Sequence, residues 1–150
     1  MLSALPQRDE QLSELEAGEE LLRTVPGNVV PSIRAFRVVD LQSEAVRLNH
    51  HFLYANLSQA LTRQQVLATL AESFYIPKSS AKNFDALRDC LTEQIQRAGQ
   101  QPGFLIVLDQ LPQTQKFDRE ARENLLDVFR DAADYWADKR VPFRVFFSFD

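Results

Sequence analysis

Phe104-Leu105-Ile106-Val107-Leu108 is an unbroken apolar run that follows the turn-forming pair Pro102-Gly103. A strand with one solvated face alternates apolar and polar side chains, so five apolar residues in a row predict a strand covered on both faces, as in a parallel sheet. The chain to either side supplies what such a strand needs. Phe52-Leu53-Tyr54-Ala55-Asn56-Leu57 upstream and Phe143 to Phe149 (FRVFFSF) downstream are rich in aromatic and branched residues and read as two more strands.

Helical signals fill the intervals. Thr62-Arg63-Gln64-Gln65 has the spacing of a capping box, in which the Thr62 hydroxyl and the Gln65 amide satisfy free backbone donors. Val66, Leu67, Leu70 and Phe74 then recur at helical spacing until Pro77. Lys78 to Lys82 reads as a loop, and Asn83 as the N-cap of a second helix running to about Arg97. Asp118 can cap a long helix from about Arg119 to Lys139, with Pro142 beyond its end. Strands separated by helices predict an α/β domain in three layers, a small parallel sheet of about three strands flanked by helices.

The first third is less regular. Residues 1–24 read as a polar, acidic helix or a loose arm, with Leu12, Leu15, Leu21 and Leu22 as its apolar positions. Val25-Pro26-Gly27-Asn28 reads as a turn, and Arg34 to Leu41 (RAFRVVDL) as a short strand able to extend the sheet at an edge. This divides the chain into an extension, 1–49, and a main domain, 50–150.

Bulk properties exclude several functions. A chain of 150 residues fits one domain, and its single cysteine, Cys90, can build neither an internal disulfide nor a multi-thiolate metal site. No stretch nears the eighteen or so apolar residues of a membrane span, and Gln7-Arg8-Asp9-Glu10 interrupts any secretion-signal pattern. The expected location is the cytoplasm. A net charge of −4 argues against phosphate-led nucleic-acid binding and suits a basic protein partner. His50 and His51 are adjacent, which gives no ligand spacing in a strand. Burial and the acidic neighbour Asp89 would raise the Cys90 pKa, so it is not read as a nucleophile. No phosphate loop, GxSxG or HExxH is present. No enzyme activity, cofactor or metal is expected, and the free protein is expected to be a monomer.

Charge sorting marks two helix faces. At 100° per residue, Phe84, Leu87, Leu91 and Ile95 fall on one stripe, expected to be buried, while Asp85, Asp89, Thr92 and Gln96 fall opposite, with Arg88 beside them. On the long helix Leu125, Val128, Phe129, Ala132 and Trp136 share one face. Glu123, Asp127, Asp131, Asp134 and Asp138 form an acidic ridge on the other, flanked by Arg122 and Arg130.

From Ile76-Pro77 through Asn83-Phe84-Asp85-Ala86-Leu87-Arg88-Asp89-Cys90-Leu91, and again at Leu125-Leu126-Asp127-Val128-Phe129-Arg130-Asp131-Ala132, the chain resembles the barstar family of ribonuclease inhibitors over about residues 51–149. The resemblance implies that the second helix and the loop before it form an inhibitory surface. Its carboxylates would enter the active site of a basic ribonuclease or nuclease toxin in place of substrate phosphate. Asp85 and Asp89 match the acidic contacts, with Asn83 at the helix start, and Asp131 matches a third. The sequence departs from the family's prototype at Ser79 and Ser80, which stand where it carries aromatic residues, at Ala81 in place of Gly, and at Arg88 in place of an aromatic. Arg88 would repel a basic partner or pair with Asp85. The alternative function is a barstar-like interaction module with a non-nuclease partner.

Overall fold

The computed structural model describes residues 27–30 and 37–149. Four parallel strands form one sheet in the order β1-β4-β3-β2, where β1 is Asn28–Val29, β2 His51–Asn56, β3 Phe104–Leu111 and β4 Phe143–Phe149. Phe104 to Leu108 are all buried. On β3, Phe104, Ile106 and Leu108 pack into the larger core beneath the helices that follow β2 and β3, while Leu105 and Val107 pack with Phe146 on the opposite face. The absence of alternation in the sequence is therefore the signature of two covered faces.

One face is covered by α1 (Val38–Leu48). The other carries α2 (Arg63–Ser73), α3 (Phe84–Asp89), a π turn (Cys90–Gln94), α4 (Ile95–Arg97) and the long α5 (Arg119–Asp138). Caps form where the side chains predict them. Thr62 Oγ1 accepts from the Gln65 N–H at 3.1 Å, Asn83 Oδ1 from Ala86 at 2.7 Å and Asp118 Oδ1 from Ala121 at 2.9 Å. Three helices end on a left-handed residue that is not glycine: Asn49 (φ 57), Tyr75 (φ 58) and Arg140 (φ 59). In each case the next residue's N–H bonds back five positions, closing the helix end.

Where the expected strand over Arg34 to Leu41 falls on described residues, the chain is helix instead. Arg37 is the N-cap of α1 and Val38–Leu41 are its first turn; Arg34 to Phe36 lie outside the described residues. Val38, Leu41, Ala45 and Leu48 recur at helical spacing and pack on Leu105, Val107 and Phe146. Asp40 in the first turn accepts two bonds from Arg37, both 2.9 Å. Burial of that stripe and the favourable charge at the helix start outweigh the β preference of Val38 and Val39. An extra edge strand does exist, but at Asn28–Val29, so Asn28 belongs to a strand rather than a turn. Val25, Pro26 and the expected acidic helix or arm of residues 1–24 lie outside the described residues.

Candidate partner-binding surface

Asn83 caps α3 and so orients its first turn, from which Asp85 points outward with 91% of its side chain exposed. Arg88, one turn on, is drawn toward two carboxylates. Its Nη1 lies 3.1 Å from Asp85 Oδ1, and its Nε lies 2.9 Å from Asp131 Oδ2 on α5, at an angle that makes the second contact an ion pair rather than a hydrogen bond. Asp131 is 53% and Arg88 39% exposed at the side chain. One guanidinium thus ties α3 to α5 and offsets two acids at once. Asp89, also exposed, has no cation partner among the described residues and accepts only from Gln94 Nε2 at 3.2 Å.

That Gln94 contact spans five residues, which the π turn makes natural. A π turn inserts one residue into the helix and shifts everything after it around the axis. Thr92, expected beside Asp89 on the solvent stripe, is consequently buried (7% exposed) and donates its hydroxyl to the Arg88 carbonyl at 2.8 Å. Gln96 remains exposed and hydrogen-bonds the Tyr135 hydroxyl. Phe84 and Ile95 are half-buried rather than buried. Phe84 sits at the rim of the helix start, where the Arg63 guanidinium lies 5.5 Å from its ring.

A polar groove of about 420 Å3 runs between α3 and α5, lined by Asn83, Phe84, Asp85, Arg88, Asn124 and Asp127. Asn124 and Asp127 were not singled out as site residues from the sequence. Their spacing of three and four before Asp127 and Asp131 is the signal that places them on the Asp131 face. Arg130 occupies the ridge with Glu123 (3.4 Å) and Asp127 (2.8 Å), so the ridge is partly neutralised within the helix. Glu123, Asp127, Asp131, Asp134 and Asp138 are all exposed, and the face opposite them is buried.

Ser79 and Ser80 lie in the short 3-10 turn Lys78–Ser80. No side-chain hydrogen bond joins either to the Arg88 cluster among the described residues. The turn is fastened to the helix through its backbone, because the Cys90 thiol donates to the Ser80 carbonyl at 3.2 Å. Burial, and then the charge of Asp89, push the Cys90 thiol pKa upward, consistent with a structural role. Among the described residues no three His, Cys, Asp or Glu side chains gather as a metal site requires, and no helix is long and apolar enough to cross a membrane. His51 opens β2 with its Nε2 2.8 Å from Gln101 Oε1, and the ring of His50 lies against Gly103.

No curated protein matches the chain. The family model described as Barstar (barnase inhibitor) matches residues 50–148, from the residue before β2 into β4. That match spans the capped helix, the π turn and the acidic α5, and with the parallel sheet between two helical layers it shows that the chain belongs to the barstar family.

Proposed function

We propose that this chain binds and inhibits a basic ribonuclease or nuclease toxin through the α3 face, with Asp89 as the leading contact and Asp85 and Asp131 beside it. The observation that carries this reading is that all three carboxylates are exposed on the adjoining faces of α3 and α5, inside the segment matched to a family of inhibitors. Exposed Asp side chains on a capped helix lose little rotamer freedom when a cation pairs with them. Asn83 holds the helix start, and the Lys78–Ser80 turn, fastened through Cys90, brings Ser79 and Ser80 to the edge of the contact. In this reading the inhibitory unit is residues 50–150, residues 1–49 are an extension packed on it through β1 and α1, and the protein acts as a cytoplasmic monomer without touching nucleic acid.

The test is titration of barnase, and of nucleases that co-purify with the protein, against RNA cleavage. Inhibition that is lost on Asp89→Ala and that weakens as salt rises supports the reading. Inhibition by the wild type that Asp89→Ala leaves unchanged refutes the assigned surface.

A second reading has its own support. Arg88 already offsets Asp85 and Asp131, and Ser79 and Ser80 supply no aromatic anchor of the kind that dominates many interfaces. These features favour a barstar-like module with a non-nuclease partner. A bound partner without nuclease activity, retained after Asp85→Asn and Asp89→Asn together, would select this reading over the first.

A further inference from the structure

The strands of the parallel sheet all begin at one end of the molecule, and a trough runs across that end. Asn28, Phe143, Phe104 and His51 are register partners in sequence across the four strands. Next to β1, Gly27 abuts Pro142. Beside it opens a depression of about 690 Å3 whose rim includes Gln101, Trp136, Lys139 and Arg140. Gln101 also borders the next hollow, of about 390 Å3, whose wall is apolar: Leu53, Phe74, Tyr75, Leu91, Ile95 and Phe104. The trough therefore passes from a basic half near β1 to an apolar half near β2.

Two features of the trough are left without a partner by the described residues. Lys139 and Arg140 form no ion pair among them, Lys139 only resting 4.8 Å from the Tyr135 ring. Tyr75 is 91% exposed although it is held in the left-handed conformation, which costs a non-glycine residue about 1 kcal/mol or more. Tyr75 extends the apolar lining of the hollow out to its lip.

The sequence carries a segment of matching character. Residues 1–26 hold six Asp/Glu against two Lys/Arg, a net −4 that equals the net charge of the whole chain, so residues 27–150 are neutral. Wound as a helix, Leu12, Leu15 and Leu22 fall within about 80° of one another; Glu14, Glu16 and Glu20 lie outside that stripe and Glu19 within it. From Leu12 to Leu22 such a helix is about 16 Å long, and three strand spacings, the distance from β1 to β2, are about 14 Å. Arg23 to Pro26 then lead to Gly27, which already lies at the basic end of the trough.

We propose that the acidic, leucine-bearing segment Leu12–Leu22 docks along this trough of the same molecule, with its leucines against Tyr75, Leu91 and Ile95 and its carboxylates toward Lys139 and Arg140. The docked segment lies against the back of the helix whose front carries Asp89. Gln94 faces both sides: it borders the apolar hollow and donates to Asp89. The docking holds whether or not the Asp89 face engages a nuclease.

Hydrogen exchange of the full chain, read by mass spectrometry, tests the proposal. In Leu15→Asp/Leu22→Asp, peptides covering Phe74–Pro77 and Gln94–Gln101 should exchange at least about fivefold faster than in the wild type, while β3 and the middle of α5 keep their rates. Lys139→Glu/Arg140→Glu should release the same peptides without touching the leucines. The wild-type protection should not change with protein concentration. Unaltered exchange at the trough in both double variants overturns the proposal. So does protection that grows with concentration, which would assign the trough to a second copy of the chain.

Discussion

Replacing Arg88 with alanine should move stability and partner binding in opposite directions. Arg88 touches Asp85 at 3.1 Å and Asp131 at 2.9 Å, and all three side chains are more than a third exposed. Exposed pairs contribute about 0.2–1 kcal/mol each, so losing both should lower the unfolding free energy by about 1 kcal/mol. The same change removes one positive charge from among the three carboxylates Asp85, Asp89 and Asp131. A unit charge about 6 Å from a partner cation is worth about 0.7 kcal/mol in water and about 1.4 kcal/mol at an effective dielectric of about 40. Affinity for a basic ribonuclease should therefore rise about three- to tenfold, chiefly through faster association, and the gain should shrink toward 1 M salt, where the screening length is about 3 Å. Urea unfolding gives the first quantity, and surface-plasmon association rates against barnase, or against a nuclease that co-purifies, give the second. A variant that binds about fivefold more weakly refutes the reasoning, because Arg88 would then be a contact with the partner and not an internal counter-ion.

Other perturbations probe the scaffold. Trp136 is buried and donates its indole N–H to the Leu91 carbonyl in the π turn at 2.8 Å, so Trp136→Phe should cost about 2–3 kcal/mol in denaturant unfolding through the smaller ring and the orphaned carbonyl. Gln110 interrupts the pairing of β3 with φ 58, a bulge position suited to glycine; Gln110→Gly should raise stability by about 0.5–1 kcal/mol, and a lower urea midpoint would contradict this. Burial, then Arg144 and His51, hold the pKa of His50 below its ordinary value, so the unfolded chain takes up a proton before the folded one does. The His50 contribution should be complete above pH 6.5 and be lost as pH falls through and below that value, and the difference between wild type and His50→Gln across pH 7 to 5 should show it.

Much of the fold could be read locally because its signals are local. Asn83, Thr62 and Asp118 cap helices with their own side chains, and a helical period such as Leu125, Val128, Phe129, Ala132 and Trp136 states which face is buried before any partner is known. The uninterrupted run Phe104 to Leu108 declared a strand with two covered faces. The acidic faces of α3 and α5 were legible for the same reason, as were their resemblance to an inhibitor family and the upward push on the Cys90 pKa.

What the tertiary structure decided involves residues far apart in the chain. Val38 and Val39 have β-forming side chains, yet packing of their helix on Leu105, Val107 and Phe146 makes them helical. The π turn turned Thr92 inward and brought Gln94 to Asp89, because one inserted residue rotates all that follows it, which a fixed 100° wheel cannot anticipate. The sequence allowed Arg88 to pair with Asp85 three residues before it on its own helix. Only the packing of α3 against α5 delivered Asp131, forty-three positions on, to the same guanidinium and left Asp89, of these three acids, without a cation partner among the described residues. A helix period reports which way a side chain points; which charges meet there depends on the distance between elements, and that is set by the core.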